Sequence, residues 1–240
     1  MIRVDRVSKS YGELLAIHDI SLTVASGEIA ILMGPNGAGK STLIKSITGL
    51  LRFDGSITIG GFPNKSLEAK RLLGYVPDMP AVYDLLTVSE HLEFIARAYR
   101  ISNWRDMALS LLERFELLDK KDTLGKELSK GMQQKLSICC AILPRPQAII
   151  FDEPMVGLDP QAIKELRLLF RELSDSGAAL LISTHLASSV ENIWDTVHIM
   201  AKGAFVASKQ HNEGDAEDLN LEELFFAATR GESGIREDKA

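Results

Sequence analysis

Residues 29–41 of this 240-residue chain read Ile29-Ala30-Ile31-Leu32-Met33-Gly34-Pro35-Asn36-Gly37-Ala38-Gly39-Lys40-Ser41. The continuously apolar run at 29–33 is typical of a strand that is buried on both faces of a sheet. The segment 34–41 matches the pattern G-x-x-x-x-G-K-[ST] at every fixed position, and apolar residues at helical spacing follow it. A strand, a glycine-rich loop and a helix in this order predict a loop that binds phosphate.

The residue types in this loop suit the binding of a nucleotide. The glycines let the backbone curl so that several N–H groups point at phosphate oxygens, and the helix that opens at Lys40 adds the positive end of its dipole. Lys40 supplies a cation to the β- and γ-phosphates, and the Ser41 hydroxyl is suited to Mg²⁺. The predicted contact set is Gly34, Pro35, Asn36, Gly37, Ala38, Gly39, Lys40, Ser41 and Thr42.

Two further polar segments follow apolar runs that we interpret as parallel strands. Asp152 and Glu153 come directly after the run at 148–151, at the carboxyl end of the sheet, where ligands bind in α/β proteins. Asp152 is predicted to hold Mg²⁺ and Glu153 to polarise the attacking water. His185 follows the run at 179–182 and is predicted to sense the γ-phosphate, so Lys40, Glu153 and His185 are the candidate catalytic residues.

Strands and helices alternate along the chain, and this alternation indicates an α/β protein with a parallel sheet. Strands are predicted at 2–7, 16–24, 29–33, 148–151 and 179–182, and a helix is predicted at 162–173, with Gly177 where it stops. Residues 86–127 have helical periodicity and begin with a capping box from Thr87 to Glu90, which predicts an inserted helical subdomain. The polar residues from 233 onward are expected to form a frayed tail.

Composition excludes several classes of protein. The net charge is −6 and no long basic run is present, which argues against nucleic acid as the main partner. The only cysteines, Cys139 and Cys140, are adjacent, and we interpret them as small core residues on a helix. The N-terminus lacks a signal-peptide pattern, and no window reaches the roughly 18 uninterrupted apolar residues of a spanning helix. We therefore expect a soluble chain, with any membrane crossing done by another subunit.

The segment Leu128-Ser129-Lys130-Gly131-Met132 provides a second signal for phosphate binding. It carries a serine and a glycine at the opening of a predicted helix, a short way before the strand that ends in Asp152. Hydroxyl and N–H groups at a helix N-terminus bind anions. Because the chain already has one phosphate loop, this surplus site implies a partner subunit.

Together, these segments and their order resemble the ATP-binding subunits of ABC transporters along almost the whole chain. Residues 34–42 resemble the Walker A segment, 149–152 Walker B, 128–132 the ABC signature and 157–159 the D-loop. The resemblance implies ATP, Mg²⁺ and a P-loop NTPase fold of the ABC ATPase type, an α/β fold with a mostly parallel sheet core, an antiparallel N-terminal β-subdomain and an inserted α-helical subdomain. The implied boundaries are 1–85 and 146–215 for the catalytic core, 86–145 for the helical subdomain, and 216–240 for a C-terminal helix and flexible tail.

The resemblance also implies partners. In this family two ATPase subunits clasp head to tail, so Ser129 and Gly131 would bind the γ-phosphate of an ATP held by the opposite subunit. Tyr11 is similar to the aromatic residue that stacks on adenine, and Asp159 to the D-loop aspartate at the nucleotide. The second ATPase subunit would be an identical or a different cassette. A polytopic membrane subunit on a separate chain is also implied, which would place the protein in the cytoplasm, on the inner face of the cell membrane, with no nucleic acid bound.

Two departures from the family pattern indicate which branch of the family the chain resembles. Lys130 and Met132 stand where the signature usually has glycine and glutamine, although Ser129 and Gly131 are kept. Asp78 stands where the family places the Q-loop glutamine, and an anion there would either repel the γ-phosphate or bind Mg²⁺. An acidic residue at this position is similar to the exporter-like branch with ABC-2-type membrane partners. The alternative for Asp78 is a cap for its own loop.

Three other functions stay open at this stage. A soluble ABC-type ATPase in translation or DNA maintenance generally carries two cassettes or a long coiled coil, and this chain has neither. A P-loop small-molecule kinase would leave the Ser129 segment without a role. An importer subunit differs mainly in its partners, and the sequence does not identify the cargo.

Overall fold

Two β-sheets carry the fold of the described residues, which are 1–211 and 221–230 of this computed structural model. The strands in chain order are β1 (Ile2–Tyr11), β2 (Leu14–Val24), β3 (Ile29–Met33), β4 (Asp54–Ile59), β5 (Phe62–Pro63), β6 (Leu73–Val76), β7 (Ala148–Asp152), β8 (Ala179–Thr184), β9 (Thr196–Ala201) and β10 (Ala204–Gln210). One sheet has four antiparallel strands in the order β2-β1-β4-β5. This sheet is the predicted N-terminal β-subdomain.

The second sheet has six strands in the order β10-β9-β3-β8-β7-β6. The pairs from β9 to β6 are parallel, and only β10 runs antiparallel, against β9. Strands β3, β7 and β8 are buried along their whole length, as expected for apolar strands covered on both faces. The predicted fold class, a mostly parallel α/β core with an antiparallel sheet and a helical insertion, is confirmed.

The helices of the described residues are α1 (Lys40–Ile47), α2 (Leu67–Leu72), α3 (Val88–Tyr99), α4 (Trp104–Arg114), α5 (Lys130–Ile142), α6 (Pro160–Asp175), α7 (Ala187–Val190) and α8 (Leu221–Arg230), with short 3-10 turns at Leu118–Lys120 and Gly125–Glu127. Helix α3 opens with the predicted capping box, in which Thr87 and Glu90 bond each other's backbone N–H groups. Among the helices of the described ranges, none is long and apolar enough to cross a bilayer.

Helices α3, α4 and α5 lie in the chain between the edge strand β6 and the central strand β7. Leu92, Leu112, Phe115 and Leu136 join one buried cluster with Phe151 of β7, so the helical insertion shares its core with the sheet. Burial raises the pKa of the Cys140 thiol to about 12 and also raises that of Cys139. Both thiols are therefore packing groups at neutral pH, as the sequence predicted.

The predicted end of the first strand and the predicted start of the second were wrong. The first hairpin is longer than predicted, because β1 runs to Tyr11 and β2 begins at Leu14. Register shifts in β1 break the alternation of buried and exposed residues that the prediction used. Within the stretch 86–127 of predicted helical periodicity, α4 ends at Arg114, and Leu118 beyond it is 39% exposed.

Two histidines outside the predicted site, His91 and His198, are buried. His91 accepts a hydrogen bond from Tyr83 N–H at Nε2 and lies 2.7 Å from the Thr87 carbonyl at Nδ1. His198 lies 2.8 Å from Ser208 Oγ at Nδ1, and burial lowers its pKa. The predicted tail from 233 lies outside the described residues, and the predicted domain boundaries stay predictions.

Candidate nucleotide-binding site

The phosphate loop joins β3 to α1, and two of its glycines have backbone conformations that other residues rarely adopt. Gly37 has φ 82° and Gly39, the N-cap of α1, has φ 107°. A Cβ on Gly39 would lie 2.8 Å from the Ala16 carbonyl oxygen, closer than van der Waals contact allows. The loop therefore needs glycine at position 39 for its conformation and for its packing against β2.

Lys40 is buried in this loop although its side chain is charged. Its Nζ donates to the carbonyl oxygens of Gly34 at 2.7 Å and Pro35 at 3.4 Å, and lies 3.5 Å from Glu153 Oε1. A buried ammonium group requires such partners, because an unpaired charge is costly in a low-dielectric site. The arrangement places the predicted phosphate-binding cation directly beside the predicted general base.

Asp152 and Glu153 are both positioned by one residue of the neighbouring strand, Ser183. Asp152 pairs with Ser183 in the β7–β8 register, and Ser183 Oγ donates to Asp152 Oδ1 at 2.6 Å. The Glu153 N–H is bonded to Ser183 Oγ at 3.0 Å and to its carbonyl oxygen at 3.2 Å. Glu153 adopts φ 48°, the left-handed region, which turns its side chain away from the direction of the strand.

The Glu153 carboxylate bridges Lys40 and His185. Its Oε2 lies 2.9 Å from His185 Nδ1, and its Oε1 is the atom near Lys40. Glu153 is largely buried whereas His185 is 39% exposed at its side chain. The three predicted catalytic side chains therefore form one connected group at the carboxyl end of the sheet, with His185 at its outer edge.

The carboxylate of Asp152 is suited to a Mg²⁺ ion. Burial raises the pKa of Asp152, and the nearby carboxylates of Asp78 and Glu153 contribute, while hydrogen bonds from Ser183 and Ser41 oppose the rise. Burial and the charges of Asp152 and Asp78 also raise the pKa of Tyr75 to about 12. Burial is the main cause of both shifts and the neighbouring carboxylates add to them, so a cation bound here would favour the charged form of Asp152.

The donor set fits Mg²⁺ bound together with a nucleotide. Asp152 supplies one carboxylate and Ser41 one hydroxyl, and the two residues line the same cavity. Mg²⁺ commonly takes one or two carboxylates plus phosphate oxygens and water. Within residues 1–211 and 221–230, no group of three or more His, Cys, Asp or Glu side chains could hold a metal alone. Asp78 is exposed and lines the same cleft, so its role as a metal ligand stays a prediction.

A cleft of about 510 Å³ surrounds the phosphate loop. The cleft is lined by Glu153 and by most of the predicted nucleotide contacts, which are Tyr11, residues 35–42 and Asp78. Gly34 is buried and does not line the cleft. Tyr11 stands at the end of β1, 47% exposed, as a stacking residue requires. The sequence analysis missed the other lining residues, which are Leu14, Leu15, Ala16, Lys202 and Gly203. The dipeptide Lys202-Gly203 predicts a turn, but the sequence does not show that Gly203 N–H bonds the Ala38 carbonyl oxygen of the phosphate loop at 2.9 Å.

The predicted signature segment lies elsewhere. Ser129 is the N-cap of α5, where its Oγ accepts a hydrogen bond from Met132 N–H at 3.3 Å, and Gly131 is in the first turn. Among the described residues, those that line the cleft around the phosphate loop include neither Ser129 nor Gly131. The two predicted phosphate-binding segments are therefore separate in the structure, and phosphate binding by Ser129 and Gly131 stays a prediction.

Asp159 is the N-cap of α6, with its Oδ1 accepting from Ala162 N–H at 2.8 Å. Its Oδ2 lies 2.8 Å from Nζ of Lys135, a residue of α5 that the sequence analysis did not single out. The predicted contact of Asp159 with nucleotide stays a prediction, because this carboxylate already has two partners within its own chain.

These features define a P-loop ATPase. The glycine-rich loop follows β3, His185 follows the neighbouring strand β8, and the acidic pair stands at the end of β7, the next strand along the sheet. Residues 17–156 match the family described as ABC transporter. The chain belongs to this family, as an ATP-binding subunit that hydrolyses ATP in a transporter. The predicted family is thereby confirmed.

Curated relatives and solved structures agree with this assignment. The lantibiotic transport ATP-binding protein SrtF of Streptococcus pyogenes is 32% identical, over 94% of this chain and 96% of that protein. The ABC-type transporter ATP-binding protein EcsA of Bacillus subtilis is 33% identical, over 98% of each chain. A structure described as the ATP binding subunit of an ABC transporter superposes with a TM-score of 0.89 at 34% identity, covering 95% of this chain and 99% of its own.

Proposed function

We propose that this chain powers an exporter by ATP-driven head-to-tail dimerisation, with each ATP and its Mg²⁺ held between two subunits. The observation that carries the proposal is the separation of Ser129 and Gly131 from the chain's own nucleotide cleft. A phosphate-binding helix N-terminus outside that cleft is explained if it acts on the ATP of a second subunit. A dimeric bacterial ABC transporter cassette, 26% identical and with a TM-score of 0.81, supports such a pairing.

The proposed chemistry follows from the connected group around Glu153. The Glu153 carboxylate accepts a proton from the water that attacks the γ-phosphate, and Lys40 balances charge on the phosphates. His185, bonded to Glu153 Oε2, holds the carboxylate in place and lies at the edge that faces the second subunit. Asp152 and Ser41 hold the Mg²⁺ ion, which supplies positive charge to the phosphate oxygens when bound.

A groove next to the nucleotide cleft supports the assignment of a membrane partner. The groove has a volume of about 600 Å³ and runs between α1 and β6 of the core and α3 and α5 of the helical insertion. Its rim exposes the large apolar side chains Leu50, Met79, Tyr83, Phe94 and Tyr99. Exposed apolar residues around a cleft are typical of a protein-binding surface. We assign the groove to the membrane subunit, which places the chain on the cytoplasmic side, where ATP is available.

We propose export rather than import because of the names of similar proteins. The names of similar proteins include lantibiotic transport in Streptococcus pyogenes, lipopolysaccharide export in Haemophilus influenzae and Nod factor export in Mesorhizobium japonicum. Asp78 in place of the Q-loop glutamine agrees with this branch. Reconstitution with its membrane subunit in vesicles is the test, since an exporter carries cargo from the side on which ATP is hydrolysed to the opposite side. Movement of cargo toward the ATP side would contradict export.

The dimer is tested with Glu153→Gln, which keeps the shape of the side chain and removes the proton acceptor. We expect ATP binding to persist, hydrolysis to fall by about 10²–10⁴-fold, as for loss of a general base, and a stable ATP-bound dimer to appear in sedimentation. Hydrolysis at the wild-type rate would show that Glu153 is not the base. The matched control is Glu13→Gln at the exposed turn of the first hairpin, which should leave the rate unchanged.

A further inference from the structure

A recess of about 450 Å³ lies between α6 and the loop that follows α7. It is lined by three basic residues of α6 and by apolar residues, which are Lys164, Arg167, Arg171, Ile163, Leu168 and Ile193. We call it the basic recess. Among the described residues, it shares none with the nucleotide cleft or with the apolar groove assigned to the membrane subunit. The basic recess therefore lies outside both surfaces that the proposed function uses.

The basic residues of the recess lie on one face of α6, because they are three and four positions apart in the helix. From Lys164 to Arg171 the helix rises by about 10 Å, at roughly 1.5 Å per residue. The acidic residues Glu165 and Glu172 of the same helix pair instead with Arg114 of α4. The charges of α6 are therefore separated, with these carboxylates toward α4 and the cations toward the recess.

Uncharged acceptors hold the two guanidinium groups of the recess in place. Arg167 Nη2 donates to the Glu191 carbonyl oxygen at 2.6 Å, and Arg171 Nη2 donates to the Asn192 carbonyl oxygen at 3.2 Å. Within residues 1–211 and 221–230, no carboxylate oxygen lies within 4.0 Å of either guanidinium or of Lys164 Nζ. A carbonyl oxygen fixes the direction of a guanidinium but leaves its charge, and each guanidinium has further N–H donors. The recess thus presents three cations without an acidic partner, on a chain whose net charge is −6.

Apolar side chains line the recess beside these cations. Ile193 is only 7% exposed, whereas Leu168 is 48% exposed. Apolar surface gains free energy when the apolar groups of a ligand remove it from water. A free phosphate ion or a nucleic acid backbone would pair with the cations but would leave this apolar surface uncovered. A peptide that carries both acidic and apolar side chains along one face would satisfy the two parts of the recess together.

We propose that the basic recess binds an acidic amphipathic segment of a partner protein other than the membrane subunit. Its carboxylates would pair with Lys164, Arg167 and Arg171, and its apolar side chains would cover Leu168 and Ile193. Carboxylates one and two helical turns apart match cations that span about 10 Å. Arginine binds a carboxylate through paired hydrogen bonds, and guanidinium groups that are already held in place lose little freedom on binding. This inference does not depend on the proposed dimer.

The experiment measures binding of a fluorescein-labelled synthetic peptide, with glutamate and leucine at helical spacing, to the full chain by fluorescence anisotropy. We expect saturable binding that weakens as salt is added, because ion pairs at a surface are screened. In Lys164→Gln/Arg171→Gln the dissociation constant should rise at least tenfold. The matched control is Lys70→Gln/Arg71→Gln, which removes the same two residue types from exposed positions of α2 and should change the constant less than twofold. Both double variants should hydrolyse ATP at the wild-type rate.

Leu168→Ser tests the apolar part of the recess and should raise the dissociation constant at least threefold. It also decides the question if Lys164→Gln/Arg171→Gln fails to fold. A peptide with glutamine in place of every glutamate should not bind. Absence of saturable binding to the wild-type chain, or equal binding by the two double variants, would overturn the inference. Single-stranded DNA or phosphatidylglycerol vesicles that bind more tightly than the peptide, and lose binding in Lys164→Gln/Arg171→Gln, would overturn the assignment to an acidic peptide.

Discussion

At the scale of single residues, a glycine can be needed for its backbone conformation or because a side chain would clash, and Gly37 and Gly39 differ in this respect. Both have φ in the left-handed region, but a Cβ on Gly37 meets no atom within 4 Å whereas one on Gly39 meets Ala16 and Ile17 at 2.8 Å. We expect Gly37→Ala to destabilise the chain by about 1 kcal/mol, from backbone strain alone. Gly39→Ala should cost a further 1–3 kcal/mol or so, because the clash forces α1 away from β2.

Thermal unfolding of the two variants measures this difference, with nucleotide titration as the second readout. Gly39→Ala should also weaken ATP binding more than Gly37→Ala, since the displaced helix carries Lys40. Equal destabilisation by the two substitutions would show that backbone strain, and not packing against Ala16, explains the glycine at position 39.

The role of Asp78 can be tested by removing the negative charge of its carboxylate. The carboxylate raises the pKa of both Asp152 and Tyr75, so it adds negative potential to the region that receives phosphate. In Asp78→Gln the repulsion is lost, and we expect the KM for MgATP to fall by up to about fivefold, the effect of roughly 1 kcal/mol at a surface site. Steady-state hydrolysis measures it, and Asp122→Gln, at an exposed loop aspartate, is the control. An increase in KM would instead show that Asp78 binds the metal.

Some residues of the site could be predicted from the sequence, and others could not. Gly34 to Ser41 form a contiguous pattern whose spacing encodes its geometry, so the phosphate loop could be predicted in full. Ser183 and Lys135 could not, because their partners Asp152 and Asp159 are distant in sequence. The role of Ser183 depends on the register of β7 against β8, and that of Lys135 on the packing of α5 against α6. No local pattern encodes either arrangement.

At the scale of elements, Arg114 connects the helical insertion to the core. Its guanidinium makes two bonds to the Glu172 carboxylate, at 2.6 and 3.0 Å, and so ties the end of α4 to α6. We expect Glu172→Gln to lower the free energy of unfolding by at most about 1 kcal/mol, since Glu172 is largely exposed. Glu113→Gln, at an exposed position of α4, should change it less.

The effect of this substitution should depend on pH. The hydrogen bond from Arg114 lowers the pKa of Glu172 below its ordinary value of 4.5. A lowered pKa in the folded chain stabilises it above pH 4.5, and this contribution is lost as the pH falls through the folded-state value. The difference in unfolding free energy between wild type and Glu172→Gln should therefore be full at pH 6 and above and vanish in acid. A difference that persists at low pH would contradict the ion pair.

Helices and strands were predicted correctly where the hydrophobic pattern of the sequence was uninterrupted. The buried strands β3, β7 and β8 were identified within two residues of their observed ends, because burial on both faces leaves a continuous apolar run. The start of α3 was identified from its capping box. The first hairpin was shortened, since register shifts and the φ of 48° at Arg6 break its alternation. Strands β4, β9 and β10 were not predicted at all. Strand propensity depends on cross-strand neighbours, and these are set by tertiary pairing.

At the scale of the whole molecule, the nucleotide cleft and the apolar groove are adjacent. Ser41, Asp78 and Asp152 line the groove, and Ser41 and Asp78 also line the cleft. A partner seated in the groove would therefore contact residues that also line the nucleotide cleft. This shared wall gives a physical route by which ATP binding alters the contact with a membrane subunit, and it identifies the groove rim as the surface to test.

Phe94 on this rim and Leu168 on α6 form a matched pair, since they are 49% and 48% exposed. Both can be changed to serine with little effect on stability, because neither is in the core. Phe94→Ser removes apolar area from the groove, and we expect the fraction of chain that sediments with membranes containing its transporter subunit to fall at least fivefold. Leu168→Ser should leave that fraction unchanged, because Leu168 lies outside the groove, and both variants should hydrolyse ATP in solution at the wild-type rate. Equal membrane binding by the two variants would show that the groove does not hold the membrane subunit.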